Sequence, residues 1–264
     1  MNDVFEIMQT TRAMRRLKAD PVPDELVRKI LEAGVCAANG GNFQRWRFLV
    51  IKEAAVKKAV QVFYKRAFDE VVGPRYASSP PPPGVSAEKY ARQHHAVEYL
   101  TEHYHEAPVW IVACLDEGGA APGRGSGASI YPAVQNMLLA ARALGLGSTL
   151  TTRQMLHGEA ADAAMGLPAG VRSYAILPIG WPMGKFGPVG RTVLGDVVFS
   201  EKWGQGYGGG RAAIERLLDS VPAPRCNVLA QQNSPHGVTR GRTMEGTTSW
   251  PKTRNARCRR GATC

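Results

Sequence analysis

Apolar residues first recur at helical spacing over residues 3–11, where Val4, Ile7, Met8 and Thr11 share one face. A second helix opens at Pro23-Asp24-Glu25, with Leu26, Val27, Ile30, Leu31, Gly34 and Val35 directed inward; the acidic first turn and the Asn39-Gly40 stop suit its ends. RFLVIKE, 47–53, is read as a buried strand. Residues 53–68 follow as a helix with Val56, Val60 and Phe63 on its core side. The run SSPPPPGVS, 78–86, interrupts all periodicity and is read as a surface insertion of polyproline character. A helix over 86–107, the strand VWIVACL, 109–115, and a glycine-rich loop over 116–127 come next. Ile130, Val134, Met137, Leu138, Ala141 and Leu144 then mark a long helix over 128–145. The segment GSTLTT, a helix near 155–166 and the strand SYAILPIGW complete the body. Helices outweigh the few strands and do not alternate regularly with them, so an α+β layer fold is expected rather than a doubly wound one.

With 264 residues and 44% hydrophobic content the chain can bury a sizeable core. No apolar run approaches the ~20 residues needed to span a bilayer, and the N-terminus lacks the basic-then-apolar order of a signal peptide, so a cytoplasmic protein away from membranes is expected. The five cysteines form no CxxC pair, which argues against a disulfide framework or zinc site; Cys36 and Cys114 sit in apolar runs and read as core thiols. The net charge of +11 is unevenly spread. Residues 207–264 hold ten Lys+Arg against three Asp+Glu, which leaves 23 against 19 for residues 1–206. Two regions are therefore expected: one domain over 1–206, and a basic tail over 207–264 without sustained periodicity, read as mostly disordered. A rival reading makes the Arg-rich stretch 240–260 a binding module for nucleic acid or acidic surfaces. Sparse aromatics and irregular spacing speak against it.

Two stretches invite a chemical reading. ANGGNFQRW, 38–46, combines glycines, amides and an indole, a make-up that offers a planar ligand N–H groups and a flat aromatic surface; it also reads as an ordinary helix stop and turn. TRAMRR, 11–16, places Arg12, Arg15 and Arg16 just past a helix, where guanidinium forks could seize a phosphate or simply lie in solvent. His94, His95, His103 and His105 lack the spacing that sets two imidazoles on one helical face, so no metal is expected. APGRGSGAS matches neither a P-loop nor a dinucleotide fingerprint, and no GxSxG is present.

Taken in order, TRAMRR, NGGNFQRW, YPAVQNMLLAARALGLGSTL, PIGWP and GRTVLGDVV resemble the nitroreductase-like family of FMN-dependent oxidoreductases over about residues 3–204. Arg12-Ala13-Met14-Arg15 matches an R-S-x-R-like phosphate motif. Residues Asn39 to Trp46 match S-x-x-N-x-Q-P-W, and Gln135 to Gly147 match Q-N-x-x-L-A-A-x-x-L-G-L-G. Ala13, Asn39 and Arg45 depart from the usual serine, serine and proline. The resemblance implies a mostly antiparallel sheet flanked by helices and an interlocked homodimer with FMN at its interface. It further implies that Arg12, Ala13, Met14, Arg15 and Arg16 hold the phosphate and ribityl chain, Arg16 being an alternative to Arg15, and that Arg191 adds a late basic contact. Asn39, Gly40, Gly41, Asn42 and Gln44 would meet flavin bound largely by the partner's arginines, and backbone groups of Leu150, Thr151 and Thr152 would lie near its N5. No catalytic side chain is implied, since N5 carries the chemistry between NADH or NADPH and a nitroaromatic, quinone-like or related small-molecule acceptor, in a ping-pong cycle. F420-linked and flavin-consuming variants stay open.

Overall fold

The computed structural model describes residues 3–118, 123 and 125–207. The described residues fall into two units, divided between Thr192 and Val193. The first holds α1 (Val4–Thr10), α2 (Asp24–Val35), β1 (Trp46–Ile51), α3 (Ala54–Ala67), α4 (Gly73–Ser78), α5 (Ala87–Glu102), β2 (Val109–Asp116), α6 (Ser126–Ala143), β3 (Gly147–Ser148), α7 (Gly158–Ala164) and β4 (Val171–Gly180). In the second, the described residues Val193 to Tyr207 carry a 3-10 turn, Leu194–Asp196, and a bridge between Phe199 and Gly206. The expected tail lies outside the described residues apart from Tyr207, as do 119–122 and 124 of the glycine-rich loop.

The strands form one antiparallel sheet in the order β1-β2-β4-β3. Its two central strands, β2 and β4, are apolar along most of their length because helices cover both faces, which removes the polar alternation of a one-sided sheet. One face sets Ile111, Ala113, Leu177 and Ile179 against Ile30 of α2 and Ile130, Val134 and Met137 of α6. The other sets Trp110, Val112 and Ile176 against Val60 and Tyr64 of α3, Leu100 of α5 and Tyr104. Tyr104 stacks on Tyr64 with ring centroids 4.0 Å apart, and Trp110 packs at 4.3 Å from Tyr104. Ser86 caps α5 by accepting the Lys89 N–H, so that helix begins immediately after the proline run.

Several expectations are corrected. The inward stripe of α2 is Val27, Ile30 and Gly34, which turns Val35 out to 48% exposure. Cys36 caps the same helix and is exposed rather than a core thiol; Cys114 on β2 is buried. In α3 the buried face is Lys57, Val60, Tyr64 and Ala67, with Phe63 only half-buried to one side. Lys57 can point inward because its Nζ donates to the Ala107 carbonyl at 2.7 Å. Burial lowers its pKa. Helix α1 buries none of its side chains, and Val4, Phe5 and Met8 are exposed.

Candidate functional site

Residues 14–18 run along the edge of the sheet beside β3 and the end of β4. The Met14 N–H donates to the Ser148 carbonyl at 2.9 Å, Leu17 bridges Pro182, and the Lys18 N–H donates to the Trp181 carbonyl at 2.8 Å. Met14 and Leu17 are buried in the core. The side chain of Met14 is thus an anchor for this segment, while Arg12 and Arg16 are exposed and Arg15 is half-buried. Close approach requires Gly147: a Cβ there would stand 2.8 Å from Leu17 Cδ2 and 3.0 Å from Met14 Cβ.

This packing brings Arg12, Ala13, Arg15, Leu150 and Arg191 to one cavity of about 290 Å³, together with Gln135 and Ser148. Arg15 makes no salt bridge or side-chain hydrogen bond among the described residues, and its burial, reinforced by the nearby Arg153 and Arg12 charges, lowers its pKa against the pull of Tyr76 and Tyr64. Ser148 Oγ is buried without a hydrogen-bond partner. A desolvated cation and an unsatisfied hydroxyl in one cavity are costly unless a ligand with anionic and polar atoms meets them. Ser148 is a residue that sequence reasoning passed over; its only signal was its place in GSTL, two residues before Leu150.

Of the three backbones expected near the flavin N5, two are engaged: the Thr152 carbonyl accepts from the Met155 N–H at 3.0 Å, and Thr151 pairs with β4. The Thr151 N–H donates to the Ile176 carbonyl at 3.0 Å and the Thr151 carbonyl accepts from the Ile176 N–H at 2.9 Å. Its hydroxyl also donates to that carbonyl and pairs with the buried Tyr104 phenol at 2.5 Å. Thr151 therefore pins the loop from within. The Leu150 N–H has no backbone partner among the described residues, and Leu150 lines the cavity, whereas Thr152 does not.

The loop at Asn39 to Gln44 is held in a conformation that side chains rarely adopt. Gly41, Asn42 and Gln44 have φ of 56°, 55° and 50°. Asn39 Oδ1 accepts the Gln44 N–H at 2.9 Å, Gln44 Nε2 donates to Asn42 Oδ1 at 3.2 Å, and the Gly40 N–H donates to Ser129 Oγ. Strain sustained by its surroundings is characteristic of binding loops. The flat aromatic surface expected from Trp46 is absent, because its indole is buried in β1; Phe43 is the exposed ring. Asn39 and Gly40 line a different cavity, of about 270 Å³, with Arg45 and Glu117. There the buried Glu117 carboxylate accepts from Ser126 and Tyr174, and burial followed by that bond pushes the Tyr174 phenol up to about 12. Among the described residues the cavity at Asn39 and Gly40 is thus lined separately from the one at Arg12 and Arg15. Of the four histidines in α5 and the turn after it, His94 and His95 lie beside Glu98 and His103 beside Glu106, whereas His105 makes no such pair among the described residues.

A model of the nitroreductase family matches residues 8–181. This chain belongs to that family. An NADH dehydrogenase of Thermus thermophilus is 30% identical over 200 residues, covering 71% of this chain and 90% of the relative. A 5,6-dimethylbenzimidazole synthase of Rhodospirillum rubrum is 28% identical over 185 residues, 67% of this chain and 80% of the relative. Among solved structures, a protein of Desulfovibrio desulfuricans named as a nitroreductase in complex with FMN superimposes with a TM-score of 0.56 at 28% identity, covering 77% of this chain and 99% of that one. The nitroreductase fold, with its antiparallel sheet between helical layers, is the one the motifs implied. Among the described residues no helix is long and apolar enough to cross a membrane.

Proposed function

We propose that the cavity walled by Arg12, Arg15, Ser148, Leu150 and Arg191 holds FMN and that the protein is an NAD(P)H-dependent oxidoreductase acting on nitroaromatic, quinone-like or related acceptors. The observation that carries the reading is the pairing of a desolvated, acid-free Arg15 with the unsatisfied Ser148 hydroxyl in that cavity. Arg12, Arg15 and Arg191 suit the phosphate, to which guanidinium forks give bidentate, charge-assisted bonds. Ser148 Oγ and the Leu150 N–H suit polar atoms of the ribityl chain or the ring edge. When bound, FMN supplies a two-electron redox centre that a nicotinamide can reduce and an acceptor can reoxidise. The chain's part is to bind, orient and polarise, and no side-chain acid or base of this cavity is assigned a proton.

The reading includes a homodimer. Val4, Phe5 and Met8 of α1, with Val35 and Phe43, leave large apolar side chains exposed on this chain, which supports a partner covering them. The separate cavity at Asn39 and Gly40 suits the notion that this loop meets flavin held by the other protomer's arginines.

Anaerobic NADH or NADPH should bleach the visible absorbance of the FMN-loaded protein, and a quinone should restore it. The chain carries no dinucleotide fingerprint, so donor and acceptor are expected to use one open flavin face in turn, giving parallel lines in double-reciprocal plots. Intersecting lines would show both substrates bound together and end the single-face mechanism.

A further inference from the structure

We propose that the larger neighbouring cavity, which shares Arg12, Ala13 and Arg15 with the flavin cavity, is a second anion subsite that takes a phosphate or carboxylate carried by a substrate of the flavin; the proposal rests on the flavin reading above. Arg12, Ala13 and Arg15 wall three cavities, of about 290, 400 and 550 Å³. The largest is lined in addition by Arg16, Lys89, Arg92 and Lys185, and by no Asp or Glu. Lys89, Arg92, Gln93 and Ala96 occupy positions i, i+3, i+4 and i+7 of α5, so one helical face presents them together. Arg16 is steered by Tyr99, whose ring lies 5.0 Å beneath its guanidinium and whose hydroxyl reaches Met183 Sδ at 3.9 Å.

Some exposed cations of this chain pair with acids one turn away, namely Arg28 with Glu32, Lys29 with Glu25, Lys65 with Asp69 and Arg66 with Glu70, whereas others, such as Lys58 and Arg75, do not among the described residues. Neither Arg16, Lys89, Arg92 nor Lys185 makes a salt bridge among the described residues, although the Arg92 charge helps, after the Glu88 backbone and Ser86, to hold the Glu88 carboxyl below its usual range. The three cavities together gather seven cations, counting Arg191. Without those seven, residues 1–206 would have 16 Lys+Arg against 19 Asp+Glu. The positive charge of the body is therefore a local field rather than general basicity, and such a field draws in and orients anions. A flavin phosphate carries about two negative charges. Arg12, Arg15 and Arg191 suffice for it, which leaves the other four free for a second anionic group. Two sources share that chemistry: the extra 2′-phosphate that distinguishes NADPH from NADH, and a carboxylate on the acceptor.

The test compares the wild type with the double variant K89Q/R92Q, after FMN content has been matched. One arm measures KM for NADPH against NADH with a neutral quinone; the other measures KM for 4-nitrobenzoate against 4-nitrobenzamide. Loss of two charge-assisted contacts should raise KM for the anionic member of one pair by about tenfold or more relative to its partner, and the affected arm names the source. Calorimetry with adenosine 2′,5′-bisphosphate against 5′-AMP, and with 4-nitrobenzoate against its amide, reads the same preference without turnover, so it separates failure of this subsite from failure of the flavin reading. Unchanged ratios in both kinetic arms, with no preference by calorimetry, would overturn the proposal.

Discussion

Arg15→Met should weaken FMN binding by about ten- to a hundredfold, the equivalent of the roughly 1.5–3 kcal/mol of one charge-assisted hydrogen bond. The same substitution should leave the melting temperature of the flavin-free protein unchanged or higher. Arg15 is half-buried and has no carboxylate partner among the described residues. In the absence of ligand its desolvated charge opposes folding, and an apolar side chain of similar length removes that cost. Opposite signs for ligand affinity and intrinsic stability distinguish a binding residue from a structural one. Flavin titrations by fluorescence quenching and thermal melts of the flavin-free proteins provide both readouts. A variant that bound FMN as tightly as the wild type would move the phosphate to Arg12 and Arg191 alone.

Gly147→Val is expected to destabilise the fold and to release flavin. Its branched side chain would enter the space between β3 and the edge segment, where even a Cβ meets Leu17 Cδ2 at 2.8 Å, Met14 Cβ at 3.0 Å and Pro182 Cβ at 3.1 Å. Overpacking of this kind costs about 1–3 kcal/mol, or roughly 2–10 °C in Tm for a domain of this size. Met14 and Leu17 fix the backbone from which Arg12 and Arg15 project, so their displacement moves the arginines. Gly145→Ala is the control. Its φ of 78° makes any side chain strained, yet nothing lies within 4 Å of an added Cβ, so stability should fall by about 1–2 kcal/mol with FMN affinity retained. Equal loss of affinity in both variants would mean that flavin binding merely tracks stability.

The periodic helices and the two apolar strands were legible because burial imposes a 3.6-residue stripe or a continuous apolar run, and α2, α6, β2 and β4 show both. What the pattern concealed was rotation and depth. Val35 and Cys36 look as apolar as Ile30, but the stripe through Val27, Ile30 and Gly34 leaves them outside. Lys57 was invisible as a core residue because a lysine enters the interior only where carbonyls such as Ala107 receive its ammonium, and that meeting is tertiary. The arginine motif was legible as chemistry, yet its placement depends on Gly147 and on backbone bonds to residues more than 130 positions away. Ser148 illustrates the same limit, since an unsatisfied hydroxyl is a property of its surroundings and not of its letter.

The most direct measurement of the central claim is a titration of the purified protein with FMN and, in parallel, with riboflavin, which lacks the phosphate. Arg12, Arg15 and Arg191 converge on one cavity, so FMN should saturate at one per chain and bind at least about tenfold more tightly than riboflavin, with the difference shrinking in Arg15→Met. Equal affinity for the two flavins, or no binding of either, would contradict the assignment of this cavity.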